Sequence, residues 1–154
     1  MIEEPQIAKL DGTRTAFIRI TVPREQMPEV FGPAVEELVS TLTAQGVEIS
    51  GPLFAHHLAM DPQTFDFEAG FPVAGPVAAT GRVQPGERPN VRVARTVYQG
   101  PYEGLPAAWS EFHDWVDKSG LDWAQDIWEC YVVGPQSDSD PANWRTELNR
   151  PLRS

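Results

Sequence analysis

Two stretches of the chain, residues 31 to 45 and 105 to 119, repeat apolar side chains at intervals of four, three and four. This spacing is typical of one face of a helix. A glycine, Gly46 or Gly120, follows each stretch, where a left-handed C-cap ends many helices. The pattern therefore predicts two amphipathic helices. Their apolar positions are Phe31, Val35, Leu38 and Leu42 in the first, and Leu105, Trp109, Phe112 and Val116 in the second.

The two predicted helices lie 74 residues apart, and the same offset aligns the strands that follow them. "LFAHHL" at 53 to 58 falls on "IWECYV" at 127 to 132. Further along, the offset is 79 and places Phe65 on Trp144; upstream it is 78 and places "AFIRITVP" at 16 to 23 on "ARTVYQGP" at 94 to 101. Loops absorb such changes of length at little cost. The chain is therefore predicted to be an internal duplication.

Each copy is expected to run strand–helix–strand–strand, from about residue 14 to 74 and from about 91 to 153. The Pro- and Gly-rich connector 74 to 90 has turn signals at Pro85-Gly86 and Pro89-Asn90, and room for a short strand near Val77 to Val83. Neither copy is large enough to be very stable alone. We expect a single α+β domain over 1–154, with pseudo-two-fold symmetry and a central ligand cleft between the copies.

Alternation along the strand 127 to 133 separates two faces. We expect the face with Trp128, and with Phe54 in the first copy, to pack on the helices. Glu129 and Tyr131 then lie on the other face. A glutamate on a water-facing strand surface is ordinary, which is the alternative to a functional role.

The duplication makes Glu129 more informative, because its counterpart in the first copy is Ala55 and the counterpart of Tyr131 is His57. A symmetric scaffold needs matching apolar residues in both copies, whereas a functional site is expected where the two copies differ. One copy offers space and the other offers a carboxylate and a phenol. This asymmetry predicts a site for a flat, positively charged guest.

Further aromatic residues are candidates for the walls of this site. Tyr98 ends a strand, and Trp144 begins the last strand after a loop. Phe67 alternates with Phe65, so one of that pair faces the core and the other can face the cleft. Trp123 fits core and wall equally well. Trp109 and Trp128 are interpreted as packing residues.

Composition narrows the function classes. The chain has 154 residues, 41% of them hydrophobic, and a formal net charge of −10. This charge argues against direct nucleic-acid binding, and it favours cationic ligands, although solubility alone also explains it. No apolar run reaches the roughly 18 residues of a membrane span, and the acidic N-terminal stretch lacks a signal sequence's apolar core. One cysteine excludes an internal disulfide, and we expect a cytoplasmic protein.

Other chemistry is weakly supported. His56 and His57 point to opposite faces of a strand and cannot share a metal, so we expect no metal site. Phosphate-loop, dinucleotide and G-x-S-x-G signatures are absent from the sequence, and we expect no cofactor. Cys130 is expected to face the helices rather than act as a nucleophile. Glu68 and Glu147 match between the copies and are interpreted as scaffold residues.

Three segments resemble the second half of GyrI-like small-molecule-binding domains: "YQGPYEGLPAAWSEFHDWV" at 98 to 116, "WECYVVGP" at 128 to 135 and "WRTELNRPL" at 144 to 152. "FDFEAGFPVAGPV" at 65 to 77 is similar to the matching block of the first half. The resemblance covers about residue 5 to 152. It implies two strand–helix–strand–strand units and a cleft for lipophilic, often cationic aromatic compounds, with Glu129 of the E-x-Y strand facing the cation and Tyr131 two positions on.

The family includes effector-binding parts of multidrug-responsive transcription regulators and free-standing proteins. Because no helix-turn-helix segment accompanies the domain in this sequence, we expect a free-standing binder that sequesters or senses its ligand. Some relatives resemble these domains but open cyclopropane rings of genotoxic compounds, so a hydrolase using Glu129 is an alternative. A protein–protein module, such as a gyrase-modulating protein, is another, although no feature of the sequence specifies contact with gyrase or identifies a protein partner.

Overall fold

The structure, a computed structural model, describes residues 2–60, 63–134 and 138–153. Strands alternate with two helices along the chain. The elements are β1 (Gln6–Leu10), β2 (Thr13–Pro23), α1 (Met27–Gln45), β3 (Phe54–Met60), β4 (Thr64–Pro72), β5 (Gln84–Arg88), β6 (Val91–Gln99), α2 (Leu105–Lys118), β7 (Ile127–Val133) and β8 (Arg145–Pro151). This order confirms the predicted α+β class and its two strand–helix–strand–strand copies.

The chain forms two compact units, and the N-terminal strand β1 belongs to the same unit as the C-terminal part of the chain. The first unit contains Met1–Leu10 and Asn90–Ser154, and its strands are ordered β1-β6-β8-β7. The helix α2 buries Ala108, Phe112 and Val116 against this sheet, in a core that includes Leu148 of β8. The second copy of the duplication thus has its own core.

The second unit contains Asp11–Pro89, with strands ordered β3-β4-β2-β5. The helix α1 contacts β2 and β4 and buries Ala34, Leu38 and Leu42. These positions lie 74 residues before Ala108, Phe112 and Val116. The fully buried stripes of both helices therefore match, although each begins one turn later than the sequence pattern suggested.

The strand registers repeat as well. Glu129 pairs with Leu148 in β7–β8, and Ala55 pairs with Ala69 in β3–β4. Both hairpins carry an irregularity at the same place, after Tyr131 and after His57. The offsets of 74 and 79 read from the sequence therefore describe paired strands.

The connector contains a strand in a place that the sequence did not indicate. Gln84–Arg88 forms β5, which pairs with β2, whereas Thr80 and Val83 form only an isolated bridge. The expected turn at Pro85-Gly86 is therefore wrong. Proline lacks a backbone donor, but β5 is last in the strand order of its unit, and an edge strand tolerates proline. A Cβ at Gly86 would meet the ring of Phe17, so glycine permits this close pairing.

The expected glycine caps are present. Gly46 has φ 68° and Gly120 has φ 71°, the left-handed conformation that favours glycine. Neither α-helix of the described residues combines the length and the apolar character that crossing a membrane requires.

Candidate functional site

The strand β7 places Glu129 on the face of the first unit that carries α2. Residues directly opposite on neighbouring strands share a face. Glu129 pairs with Leu148, which packs in the core against α2, whereas Trp128 pairs with Asn149 on the opposite face. The expectation that the Trp128 and Cys130 face packs on the helices is therefore wrong. Ile127 to Cys130 are all buried, so alternation of apolar and polar residues could not identify the helix-facing side.

Two aromatic residues hold the Glu129 carboxylate. The Trp109 indole Nε1–H donates to Glu129 Oε2 over 2.6 Å, and the Tyr131 hydroxyl donates to Glu129 Oε1 over 2.8 Å. The glutamate is 7% exposed. Short hydrogen bonds from neutral donors stabilise the ionised form of a carboxylate without neutralising its charge. The site is therefore a buried carboxyl group that two aromatic donors hold in one position.

Aromatic rings continue outward from this carboxylate. The ring of Tyr102 contacts Tyr131 edge-on at 5.7 Å between centroids and lies 4.7 Å from the ring of Trp144. Burial raises the pKa of Tyr131 well above 10, and the neighbouring Glu129 charge raises it further. The pKa of Tyr102 is raised by the same two causes, burial first. Both phenols therefore stay neutral at physiological pH.

We refer to Glu129, Trp109, Tyr131, Tyr102 and Trp144 as the Glu129 cluster. All five belong to the first unit. The sequence had named Glu129, Tyr131 and Trp144 as candidates, and the structure brings these three together. From the sequence, Trp109 is interpreted as a packing residue, and Tyr98, rather than Tyr102, is named as a wall candidate. Both could have been suspected, because the offsets place Trp109 on Val35 and Tyr102 on Arg24.

Tyr98 supports the turn before α2. Its hydroxyl donates to the carbonyl oxygen of Pro101 over 2.8 Å, and its ring is buried in the core. A Cβ at Gly100 or at Gly104 would collide with this phenol. These contacts explain the two glycines of "GPYEGL" at 100 to 105, which let the turn close over Tyr98 and set the start of α2.

Trp123 lies among different partners. Its ring contacts His113 edge-on at 5.1 Å, and the Arg150 guanidinium lies 4.8 Å above it. A backbone bridge to Leu152 fixes its position. The Arg150 guanidinium also lies 6.0 Å from the ring of Trp109.

Three sequence candidates belong to the second unit. Ala55, His57 and Phe67 are buried on the face that carries α1, where Phe67 stacks on Phe31 at 6.0 Å. The ring of His57 lies 5.3 Å from Phe67. This face is apolar where the first unit has its carboxylate.

The matched glutamates lie on the opposite face of their sheets. Glu68 contacts His56 Nδ1 at 3.2 Å. Glu147 accepts a hydrogen bond from Asn149 and lies 3.4 Å from Arg95 Nε. Their partners are side chains rather than backbone groups.

The fold and the cluster together define a small α+β domain of the small-molecule-binding class. The chain matches the GyrI-like small molecule binding domain over residues 3–153 and belongs to that family. No curated protein sequence matches it.

Three proteins of known structure share the fold. The EcmrR C-terminal domain has a TM-score of 0.86 at 19% identity, with 98% of each chain covered. In an EcmrR–DNA complex the match has a TM-score of 0.85 at 19% identity and spans 97% of this chain but only 57% of EcmrR. SAV2435 bound to tetraphenylphosphonium has a TM-score of 0.74 at 12% identity, over 99% of this chain and 95% of SAV2435.

After EcmrR and SAV2435, the third protein with this fold is a hydrolase encoded by lin2189 from Listeria innocua. It has a TM-score of 0.67 at 14% identity, over 97% of this chain and 91% of its own. At these identities the likeness shows the fold alone.

Proposed function

We propose that this protein binds hydrophobic aromatic cations at the Glu129 cluster and acts by sequestering or sensing them. The observation that carries the proposal is the buried Glu129 carboxylate, held by Trp109 and Tyr131 beside the rings of Tyr102 and Trp144. Burying a carboxylate is costly, so an ionic guest of opposite sign gains more from contact with it there than at the surface.

The ring contacts suit the same guest. The negative face of an aromatic ring attracts a cation, with a gain of about 0.5 to 2 kcal/mol when water is excluded. Stacking on such rings makes few demands on ligand shape. The carboxylate therefore selects the sign of the charge, while Tyr102 and Trp144 tolerate different aromatic skeletons.

Comparison with the second unit supports a role of Glu129 in ligand binding. The offsets place Ala55 at the position of Glu129, Val35 at that of Trp109 and Phe65 at that of Trp144. The same scaffold is thus built there without an acid or an indole. Retaining a buried carboxylate in one copy requires another explanation, and ligand binding provides one.

The relatives point to the same ligand class. SAV2435 was determined with tetraphenylphosphonium, a lipophilic aromatic cation, and its fold covers nearly all of this chain. This supports the proposal that the present site accepts such cations.

A titration with a fluorescent rhodamine cation tests the role of Glu129. We expect Glu129→Gln to weaken binding about 10- to 100-fold. The interaction of the cation with a charged carboxylate contributes roughly 1.5 to 3 kcal/mol, and the substitution removes that charge. Glu111→Gln removes the same formal charge from an exposed position on α2 and should leave the affinity unchanged. Equal affinities for wild type and Glu129→Gln would exclude the carboxylate from binding.

Hydrolysis of electrophilic small molecules is the second candidate. It is favoured by the 2.8 Å contact between the Tyr131 hydroxyl and Glu129, because a carboxylate can activate water and a neutral phenol can donate a proton. Prolonged incubation with a cyclopropane-containing compound, followed by mass spectrometry, separates the two functions. Unchanged compound recovered from a stoichiometric complex would reject hydrolysis.

A further inference from the structure

Arg150 introduces a buried positive charge on the face that carries the Glu129 cluster. It lies on β8, two positions beyond Leu148, and is 7% exposed. Its Nη1 donates to the carbonyl oxygens of Ala124 and Gln125, at 3.1 and 3.3 Å. These two bonds fix the guanidinium in place.

One indole separates this cation from the carboxylate of the site. The guanidinium carbon lies 4.8 Å from the ring centroid of Trp123 and 6.0 Å from that of Trp109. The Nε1–H of the same Trp109 is bonded to Glu129. Arg150 and Glu129 therefore contact one ring, the former over its face and the latter at its nitrogen.

The scaffold does not require a charge at this position. The offset of 79 places Phe71 of β4 on Arg150, and both residues are buried beside the equivalent alanine, Ala16 or Ala94. An apolar side chain thus fills the corresponding place in the second unit. The charge of Arg150 is an addition to the first unit alone.

Arg150 remains charged at neutral pH. Burial lowers its pKa, attraction by Asp126 opposes that change, and an arginine keeps its proton in proteins. Screening by solvent is weak for a side chain with so little exposure. A second positive charge brought to the Glu129 cluster would therefore be repelled.

We propose that Arg150 is a specificity-determining residue that makes the Glu129 cluster prefer ligands with a single positive charge. A monocation pairs with Glu129 and leaves Arg150 undisturbed. A compact dication places its second charge against the guanidinium behind Trp109. This inference rests on the proposed function and specifies how many positive charges the preferred ligand carries.

The test compares methyl viologen, a rigid biaryl dication, with N-methylphenylpyridinium, a monocation of nearly the same shape. Isothermal titration calorimetry gives the affinity of each for wild type and for Arg150→Met. We expect the ratio of dication to monocation affinity to rise about three- to tenfold in the variant, as removal of one nearby like charge predicts. Arg150→Lys retains the charge and should retain the wild-type ratio.

Two further variants separate charge from structure. Arg150→Phe copies Phe71 and provides a second uncharged variant if the methionine does not fold. Arg153→Met removes an exposed arginine and should not alter the ratio. A merely structural role of Arg150 would weaken both ligands by the same factor, and an unchanged ratio would overturn the inference.

The wild-type protein gives an independent outcome. Tighter binding of methyl viologen than of the monocation by the wild type would also overturn the inference. Failure of the wild type to bind the monocation at all would instead refute the proposed function.

Discussion

At the scale of single residues, Glu129 is a buried carboxylate that accepts hydrogen bonds from two neutral aromatic side chains. Trp109 and Tyr131 each give it one hydrogen bond, and neither cancels its charge. The cation of the proposed function would therefore meet a carboxylate that is already fixed in position. The sequence identified Glu129 because the internal comparison set it against Ala55. It did not identify Trp109 as a donor, because a tryptophan in an apolar helical stripe is indistinguishable from a packing residue until the strand faces are known.

Tyr131 should make the stability of the protein sensitive to alkaline pH. Its pKa is raised well above 10 in the folded state, whereas an unfolded tyrosine ionises near 10. Between these values the folded state holds more protons than the unfolded state, so stability falls as pH rises. The contribution is complete below about pH 10 and is lost as the pH approaches the folded pKa.

We therefore expect Tyr131→Phe to lose less stability than wild type between about pH 8 and pH 11. Urea unfolding at both pH values measures the two losses, and phenolate absorbance follows ionisation directly. Tyr131→Phe loses its hydrogen bond to Glu129 at either pH, so only the difference between pH values is diagnostic. Parallel losses in the two proteins would show that the Tyr131 phenol is not held protonated.

Two buried threonines on the helix-facing side of the first unit should respond oppositely to the same substitution. Thr96 donates to the carbonyl oxygen of Glu3 over 2.7 Å. Thr146 is 0% exposed, and within the described residues its hydroxyl has no hydrogen-bond partner. Thr96→Val should destabilise the fold by about 1 kcal/mol, whereas Thr146→Val should be neutral or stabilising by up to about 1 kcal/mol. Urea denaturation measures both. Destabilisation by Thr146→Val comparable to that by Thr96→Val would mean that its hydroxyl is bonded.

At the scale of elements, features set by neighbouring residues were predicted better than features set by strand pairing. The helix stripes and the capping glycines depend on neighbours within a few residues, and both were predicted. The strand β5 depends on its partner β2, which lies far away in the chain, so Pro85-Gly86 was misread as a turn. The face of β7 that packs on α2 was misassigned, because both faces of this strand are buried around Glu129.

Two glycine-to-alanine substitutions test how the start of α2 is set. A Cβ at Gly104 would strike the Tyr98 hydroxyl, whereas a Cβ at Gly32 in α1 has no atom within 4 Å apart from its chain neighbours and its own helix. Gly104→Ala should destabilise the protein by about 1 to 3 kcal/mol through loss of the Tyr98–Pro101 bond and strain in the turn. Gly32→Ala should change the stability by less than about 1 kcal/mol, because the higher helix propensity of alanine is opposed by its Cβ beside Pro33.

Thermal unfolding of both glycine variants checks these changes in stability. Because α2 carries Trp109, Gly104→Ala should also weaken binding of a rhodamine cation, and Gly32→Ala should not. Equal stability of the two variants would indicate that the turn adjusts to a side chain at position 104.

At the scale of the whole molecule, duplication supplies two equivalent scaffolds, and the proposed function depends on the differences between them. The first unit carries an acid, an indole and a guanidinium where the second carries Ala55, Val35 and Phe71. The formal charge of −10 adds a general attraction for cations. The sequence alone predicted the class of fold and the carboxylate, since both follow from self-comparison. The surroundings of that carboxylate depend on helix-to-sheet contacts, which no repeat in the sequence specifies.

The most direct measurement compares tetraphenylphosphonium with tetraphenylborate, two ions of similar size and hydrophobic surface but opposite charge. Calorimetric titration of wild type, Glu129→Gln and Glu111→Gln gives the affinity of each ion for each protein. If Glu129 selects cations, wild type and Glu111→Gln bind the phosphonium at least about 100-fold more tightly than the borate, and Glu129→Gln reduces this ratio about tenfold or more. Equal affinities of wild type for the two ions, or the same ratio in Glu129→Gln, would contradict the assignment of Glu129 as the cation-selecting residue.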